Sequence, residues 1–339
     1  MKSVYVVASS SNNSAARGVG RYVSLLKQSV PSLISVPEYA SIPRDSVLIE
    51  PFFNLIGRVA WNLLGAPSRQ ITVIHDLIPL KYPDAFPLGF WGRIRATINT
   101  FLARRVPIVV TDSHVSQRDI SKICHIDTKN IKVIYPYVSE TLKLNASIES
   151  AIFETLHIQK GSYYIYVGDV NWNKNIVTMA KAFLQTSATL VCVGKSFMTD
   201  ESNLSHPWQK ELNEFLKVVR GSTQIVLAGH VSDTDLAQLY KHAYYNVLLS
   251  RDEGFGFSYV EAGVLGTPSI LANTPIFHEI AQGKGCVYVD PQRSDEVAKV
   301  VNDLQKDAKI RDEKGAEAAT RAQTFSQLAF AEAWSTLIG

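Results

Sequence analysis

The sequence predicts an α/β protein built from two doubly wound parallel-sheet domains, and three observations lead there. Short β-branched runs alternate with helix-like segments along the whole chain, which is the rhythm of βαβ units. The runs are nearly continuous in apolar character, as expected of parallel strands covered on both faces. The rhythm lapses once, over residues 139–161, and then restarts. A chain of 339 residues has room for about two domains of ~100–200 residues each.

In the first half, SVYVVA (3–8), SVLIE (46–50), ITVIHD (71–76), PIVVTD (107–112) and IKVIY (131–135) read as strands. Residues 21–29, 91–105 and 115–124 are polar–apolar mixtures suited to covering helices. In the second half the strands are YYIYVGD (163–169), ATLVCVG (188–194), TQIVLAG (223–229), YNVLLS (245–250), PSILAN (268–273) and CVYVDP (286–291). Helices fit residues 176–186, 208–219, 233–242, 258–265 and 294–304, and the final FSQLAFAEAWSTLIG (325–339) reads as one more amphipathic helix. The expected division is 1–150, 151–323 and a terminal helix at 324–339.

Composition narrows the class. The chain is 46% hydrophobic and 19% charged, enough for ordinary globular cores. Net charge is +3, unevenly spread: residues 1–150 carry 17 Lys and Arg against 10 Asp and Glu, and the remainder 17 against 21. A basic first half would suit an acidic phospholipid or a phosphorylated acceptor; chance variation of the surface is the alternative. Cys124, Cys192 and Cys286 are far apart and no CxxC pair occurs, so neither a disulfide framework nor a structural zinc site is expected. The opening MKSVYVVASS has too short an apolar run for a signal peptide, and no stretch approaches the ~20 apolar residues of a membrane span. A soluble, cytoplasmic protein is expected, with no nucleic-acid partner.

Ligands of parallel sheets sit beyond the carboxyl ends of the strands. His75, Asp76, Gly168, Asp169, Gly229 and Glu253 fall there. In ARGVGRYV (16–23), Gly18 and Gly20 lie between a strand and a helix, where bare backbone can approach a phosphate; a plain strand–helix turn is the alternative. Val23 breaks the full G-x-G-x-x-G pattern, so a nicotinamide site is not expected. His75 can donate to a sugar hydroxyl or stabilise charge near neutral pH, or it is an ordinary loop or core histidine. Lys174, in VGDVNWNKNIVTMAKAF (167–183), stands at a helix start, where a cation calls for an anion such as a diphosphate; a solvated surface lysine is the alternative.

EGFGFSYVEAG (253–263) holds the densest signal. Gly254 and Gly256 expose N–H groups at a helix start. Glu261 lies among apolar neighbours, so its carboxylate needs hydrogen-bond donors, and the vicinal hydroxyls of a ribose would supply them. Glu253, eight residues earlier, would then sit nearer a transferred group. Two ordinary acids around a helix cap are the alternative. The DTD at 233–235 fits a helix cap better than a metal site, because Ser232 or Asp233 can cap and Asp235 joins the first turn. In FPLGFWGRIRATINTFLARR (86–105), Phe86, Leu88, Phe90 and Trp91 stand beside Arg93, Arg95, Arg104 and Arg105, a combination suited to an anionic bilayer. Ile94, Ile98, Phe101 and Leu102 form the expected core-facing stripe of that helix.

Together these motifs resemble the GT-B glycosyltransferases of family 4, which are retaining and use nucleotide sugars. RGVGRYVSLL is similar to the family's glycine loop, and VIHDLIPLKYP to the strand-end His-Asp segment of its bacterial O-antigen and mannosyltransferase branch. VTDSHVSQRDI, YIYVGDVNWNKNI, LAGHVSDTDLAQLYKHA and HEIAQGKGCVYVDP match further segments, and EGFGFSYVEAGVLGTPSI fits the E-x7-E motif. The resemblance implies two Rossmann-like domains facing a cleft, with the last helix returning to the first domain. It implies that Glu261 binds the ribose, that Lys174 binds the diphosphate, and that Glu253 with Gly254, Phe255, Gly256 and Phe257 contacts donor sugar and phosphate. Gly18 would approach the diphosphate, and His75 the donor sugar. Glu253, His75 and Lys174 are the expected catalytic groups, with no metal and no cofactor.

The implied reaction moves a hexose, mannose from GDP-mannose or a sugar from a UDP donor, onto a glycan or lipid-linked acceptor of a surface polysaccharide. The enzyme would be peripheral at the membrane's inner face. A nucleotide-sugar epimerase and a non-catalytic nucleotide-sugar-binding subunit are the alternatives. Two departures from the family pattern bear on this. Asn173 stands where Arg is usual, with Arg251 as its expected substitute, and Phe257–Ser258 replaces the commoner Leu-Pro beside the donor-sugar pocket.

Overall fold

The structure is a computed structural model that describes residues 3–7, 18–36, 42–51, 53–61, 69–199, 204 and 206–339. It divides into two units: Met1–Tyr137 with Phe325–Gly339, and Val138–Thr324. The change of unit thus falls at Tyr137, not at the expected residue 150. The stretch without strand pattern is helical: α5 (Thr141–Asn145) and α6 (Ile152–Thr155) belong to the second unit. Leu142 and Phe153 bury themselves in that unit's core, which draws residues 138–155 to it.

The first unit holds β1 (Val4–Val7), β2 (Leu33–Val36), β3 (Val47–Glu50), β4 (Arg69–Val73), β5 (Ile108–Thr111) and β6 (Ile131–Val133). They form one parallel sheet in the order β2-β1-β3-β4-β5-β6. β3 is buried at every position, in keeping with its unbroken apolar run. β2 was not expected. It is an edge strand with no buried residue, so its sequence lacks the apolar continuity that marks the inner strands.

The helices of this unit are α1 (Gly18–Ser29), α2 (Ile78–Lys81), α3 (Gly89–Ala103) and α4 (His114–Cys124). Ser113 caps α4, accepting from the Ser116 N–H at 3.0 Å. α3 faces the protein differently from the expected stripe. Its buried residues are Gly92, Ala96, Asn99, Leu102 and Ala103, whereas Phe101 is 52% exposed. Small residues let the helix approach closely. The buried Asn99 amide then ties down a loop, accepting from Ala60 N–H at 3.0 Å and donating to the Leu55 carbonyl at 2.9 Å. The Arg105 guanidinium lies 3.8 Å from the centre of the displaced Phe101 ring.

The second unit holds β7 (Tyr163–Val167), β8 (Thr189–Val193), β9 (Ile225–Gly229), β10 (Asn246–Leu248), β11 (Ser269–Ala272) and β12 (Cys286–Val289), again all parallel, in the order β12-β11-β10-β7-β8-β9. Its further helices are α7 (Ile176–Phe183), α8 (Lys210–Val219), α9 (Asp233–Lys241), α10 (Phe257–Val264), α11 (Pro275–Ala281), α12 (Ser294–Leu304) and α13 (Ala308–Ala322).

The last helix, α14 (Gln327–Ile338), packs against α1 of the first unit. Phe330 meets Tyr22 and Tyr137 edge-on, with ring centres 5.7 and 5.3 Å apart, and Trp334 is fully buried. Arg69 donates to the Leu337 and Ile338 carbonyls at the helix end.

Candidate active site

The second sheet reverses its order between β10 and β7. From β7 the chain proceeds to β8 and β9 on one side, and from β10 to β11 and β12 on the other. Such a switch point opens a crevice at the carboxyl ends of the strands. Lys174 follows β7 and Glu253 follows β10, and the structure brings them together. Lys174 Nζ donates to Glu253 Oε1 at 2.7 Å and Oε2 at 2.8 Å. Ser250 Oγ makes the carboxylate's third hydrogen bond, donating to Oε1 at 2.7 Å. The side chains keep 24% and 10% of their surface exposed, so the pair stays within reach of a ligand.

Lys174 is not in the first turn of a helix, as its sequence position suggested. It closes a 3-10 turn, Trp172–Lys174, and Asn175 then takes a left-handed φ of 56° before α7 begins. Asparagine tolerates that conformation, and its amide is fixed by the Leu249 carbonyl at 3.0 Å and the Pro291 carbonyl at 2.6 Å. Asn173 is buried and donates to the Asp252 carbonyl at 3.2 Å, fastening the 3-10 turn to the loop that carries Glu253.

Arg251, the expected substitute for a missing cation at 173, is engaged within the protein. Its guanidinium bonds the Trp172 carbonyl, lies 4.9 Å from the Trp172 ring centre, and pairs with Glu211 at 3.4 Å. Burial pushes the Glu211 carboxyl above its ordinary pKa, and Arg251 offsets part of that.

Gly256 caps α10 with a φ of +93°, and a Cβ there would lie 3.0 Å from the Phe277 ring. The helix has no side-chain cap, which leaves its start to main-chain groups. Glu261 lies one turn further on, 3% exposed, and its Oε2 accepts from the Tyr240 hydroxyl at 2.8 Å. Ser258 turns inward: its Oγ donates to Asn246 Oδ1 at 2.9 Å and stands 2.9 Å from the Tyr240 hydroxyl. The Ser258 side chain therefore joins the interior polar network instead of altering a sugar pocket.

In the first unit, His75 lies two residues past β4 and Asp112 directly past the neighbouring β5. His75 Nδ1 and Asp112 Oδ2 are 2.6 Å apart. Burial lowers the His75 pKa, but the charge and hydrogen bond of Asp112, then Asp76 and the Pro51 carbonyl, outweigh it and leave the pKa raised. The Tyr22 ring stands edge-on to the imidazole at 4.9 Å. Gly18 is the first described residue of α1, which follows β1 at this sheet's own reversal of order; Ala16 and Arg17 of the glycine loop lie outside the described residues.

The DTD segment is a cap. Asp235 N–H donates to Ser232 Oγ at 3.1 Å, and its carboxylate accepts from Ser232 at 2.7 Å and from Ser150. Burial pulls the Asp235 pKa up, but those hydroxyls outweigh it and hold the group below its ordinary value. Among the described residues, no group of three His, Cys, Asp or Glu side chains is placed to hold a metal ion.

Asp112, Tyr240 and Ser250 were missed from the sequence. Asp112 had a signal: PIVVTD ends in an acid just as ITVIHD ends in His-Asp, and adjacent parallel strands put such ends side by side. Tyr240 and Ser250 had none.

Residues 147–321 match the family described as glycosyl transferases group 1. The chain belongs to that family. The matched span holds Lys174, Arg251, Glu253, Gly254 to Phe257 and Glu261. Within the family's neighbourhood, the chain is 27% identical over 229 residues to the O-antigen chain mannosyltransferase RfbU of Salmonella typhimurium, a match covering 66% of this chain and 57% of that protein. It is 23% identical over 271 residues to O-antigen chain mannosyltransferase B of Escherichia coli, covering 76% and 67% respectively. The match thus spans little more than half of the RfbU length. Among solved structures, the sucrose-phosphate synthase of Thermosynechococcus elongatus superposes with a TM-score of 0.76 at 16% identity, over 99% of this chain and 98% of that one. HepE of Anabaena, in complex with UDP-glucose, gives a TM-score of 0.76 at 16% identity over 98% of both chains. The shared fold is GT-B.

Proposed function

We propose that this chain is a retaining hexosyltransferase that moves a sugar from a nucleotide-sugar donor to a glycan or lipid-linked glycan acceptor in surface-polysaccharide synthesis. The Lys174–Glu253 pair at the sheet's switch point carries the reading. It puts a cation where a diphosphate would rest, and a carboxylate beside the sugar that diphosphate bears. As the bond from the anomeric carbon to the phosphate oxygen breaks, negative charge grows on the leaving nucleoside diphosphate. Lys174 and the N–H groups at the start of α10 would stabilise it. Glu261 would fix the ribose. GDP-mannose is the first donor to try, because the relatives RfbU and mannosyltransferase B are named as mannosyltransferases; UDP-glucose is the second, because HepE is described with it.

A thermal-shift panel of nucleotide sugars tests the reading, since a ligand that binds only the folded state raises Tm. A shift with GDP-mannose or a UDP-sugar is expected, followed by release of free nucleotide in the presence of acceptor, with EDTA leaving both unchanged. Binding without any donor cleavage would point to a non-catalytic subunit, and interconversion of the sugar with the nucleotide retained would point to an epimerase. Loss of activity in EDTA with rescue by manganese would overturn metal independence.

A lipid-linked acceptor would be met at a membrane surface. No described helix is long and apolar enough to cross one. On α3, however, Phe90 and Trp91 are 72% and 69% exposed, and its Ile98 and Phe101 line a groove completed by Trp61 and Arg105 from outside the helix. With Arg93 and Arg95 also exposed, aromatic anchors and cations share one helix, and the exposed Arg104 caps it. Co-sedimentation with vesicles containing anionic lipid is expected at low salt and lost on replacing Phe90 and Trp91 with alanine. Equal sedimentation with neutral vesicles, or no effect of the replacements, would remove this surface as the contact.

A further inference from the structure

Glu261 would meet a ribose only if its carboxylate is aimed, and a glutamate has three rotatable bonds to lose. The interior supplies an anchor. Tyr240 sits on α9, fully buried, with its carbonyl held by the Thr267 hydroxyl at 2.7 Å. Its hydroxyl reaches Glu261 Oε2 at 2.8 Å and Ser258 Oγ at 2.9 Å. A phenol has one proton to give. Ser258 gives its own proton to Asn246 Oδ1 at 2.9 Å, so Ser258 and Glu261 both stand as acceptors before Tyr240. The ionised carboxylate is the stronger acceptor. Asn246 is itself fixed, donating to Ser269 Oγ at 3.1 Å and to the Ser258 carbonyl at 3.3 Å.

We infer that Tyr240 is a positioning residue for nucleotide recognition: its hydroxyl holds one oxygen of Glu261 so that the carboxylate is oriented for the vicinal ribose hydroxyls of a nucleoside diphosphate. The inference rests on the reading of Glu261 as the ribose ligand. The orientation comes from a side chain buried on a helix, so it exists before the nucleotide arrives, and binding need not order Glu261. Ser258 plays the opposite part, competing for the same proton.

Calorimetry with UDP and GDP, each against its 2′,3′-dideoxy analogue, tests this on the whole chain. The ratio of the two affinities isolates the ribose contact from folding and from the diphosphate. The tighter-binding base is used. Tyr240→Phe, which removes only the hydroxyl, should lower the ratio by about tenfold while leaving affinity for the dideoxy analogue unchanged. Ser258→Ala should keep or raise the ratio, although it disturbs the same network. A purely structural network would respond alike to either change. An unchanged ratio in Tyr240→Phe, or a ratio that falls in Ser258→Ala, overturns the role of Tyr240; the second result decides even if Tyr240→Phe does not fold. Glu261→Ala separates the levels. If it leaves the ratio intact, or if neither nucleotide binds the unaltered protein, the ribose reading itself fails.

Discussion

Lys174→Ala should lower turnover of the nucleotide-sugar donor by about 100-fold or more, the scale of losing one donor that faces developing charge. Glu253→Gln should also lower turnover but should do the reverse to product binding. Glu253 engages the Lys174 ammonium through two short bonds, 2.7 and 2.8 Å. A diphosphate must therefore compete with a carboxylate for that ammonium. Replacing the carboxylate with an amide removes the competitor, so the nucleoside diphosphate should bind about tenfold tighter. Calorimetry with UDP and GDP on both variants checks this. Weaker product binding in Glu253→Gln would mean that Glu253 supports the phosphate site instead of restraining it. Unaltered turnover in Lys174→Ala would remove the lysine from the chemistry.

Asp112→Ala should destabilise the protein by the lower end of the ~3–5 kcal/mol that follows from breaking a buried pair. Asp112 is nearly buried and His75 about one-fifth exposed, so solvent moderates the loss. The effect should depend on pH. Asp112, aided by Asp76, raises the folded-state pKa of His75 above its ordinary 6.5, and Tyr22 packs on the ring from α1. A raised histidine pKa adds stability that is fully present below about pH 6.5 and is lost as pH rises through the folded value. The gap between parent and variant should therefore be widest near pH 5.5 and narrow toward pH 8.5. Urea unfolding at several pH values measures it. A gap that is constant with pH would mean that the pair holds His75 by shape and not by charge.

The strands were legible because burial on both faces leaves an unbroken apolar run, and β3 and β7 show how direct that signal is. Where burial is achieved by small residues the signal vanishes. α13 was not anticipated, because its sequence is charged and its buried positions are Gly315, Ala318 and Ala322. A Cβ on Gly315 would lie 2.4 Å from the Gly266 carbonyl oxygen, and one on Gly285 would lie 2.3 Å from Ala318. Packing by absence of side chain leaves no hydrophobic period to read. α3 erred for the same reason: Gly92 and Ala96 face inward, and the larger Phe101 does not.

The candidate site was legible by residue type and less so by partnership. Glu253, Lys174 and Glu261 stood out singly. That Lys174 pairs with Glu253 depends on β7 and β10 being neighbours, a fact of strand order that no local window contains. Arg251, the expected substitute for the cation missing at 173, pairs instead with Glu211, forty residues away in sequence.

The helix α14 gives the chain an order of assembly. Residues 138–324 form one continuous stretch, so the ribosome delivers that unit whole. The first unit is begun earlier yet finished last, because Phe330 and Trp334 fill its interior from the other end of the chain. At about 5–20 residues per second, the seat around Tyr22 and Tyr137 waits roughly 10–40 s for its occupant. During that interval the older half lacks the helix that closes its apolar interior, while the younger half is itself still being made.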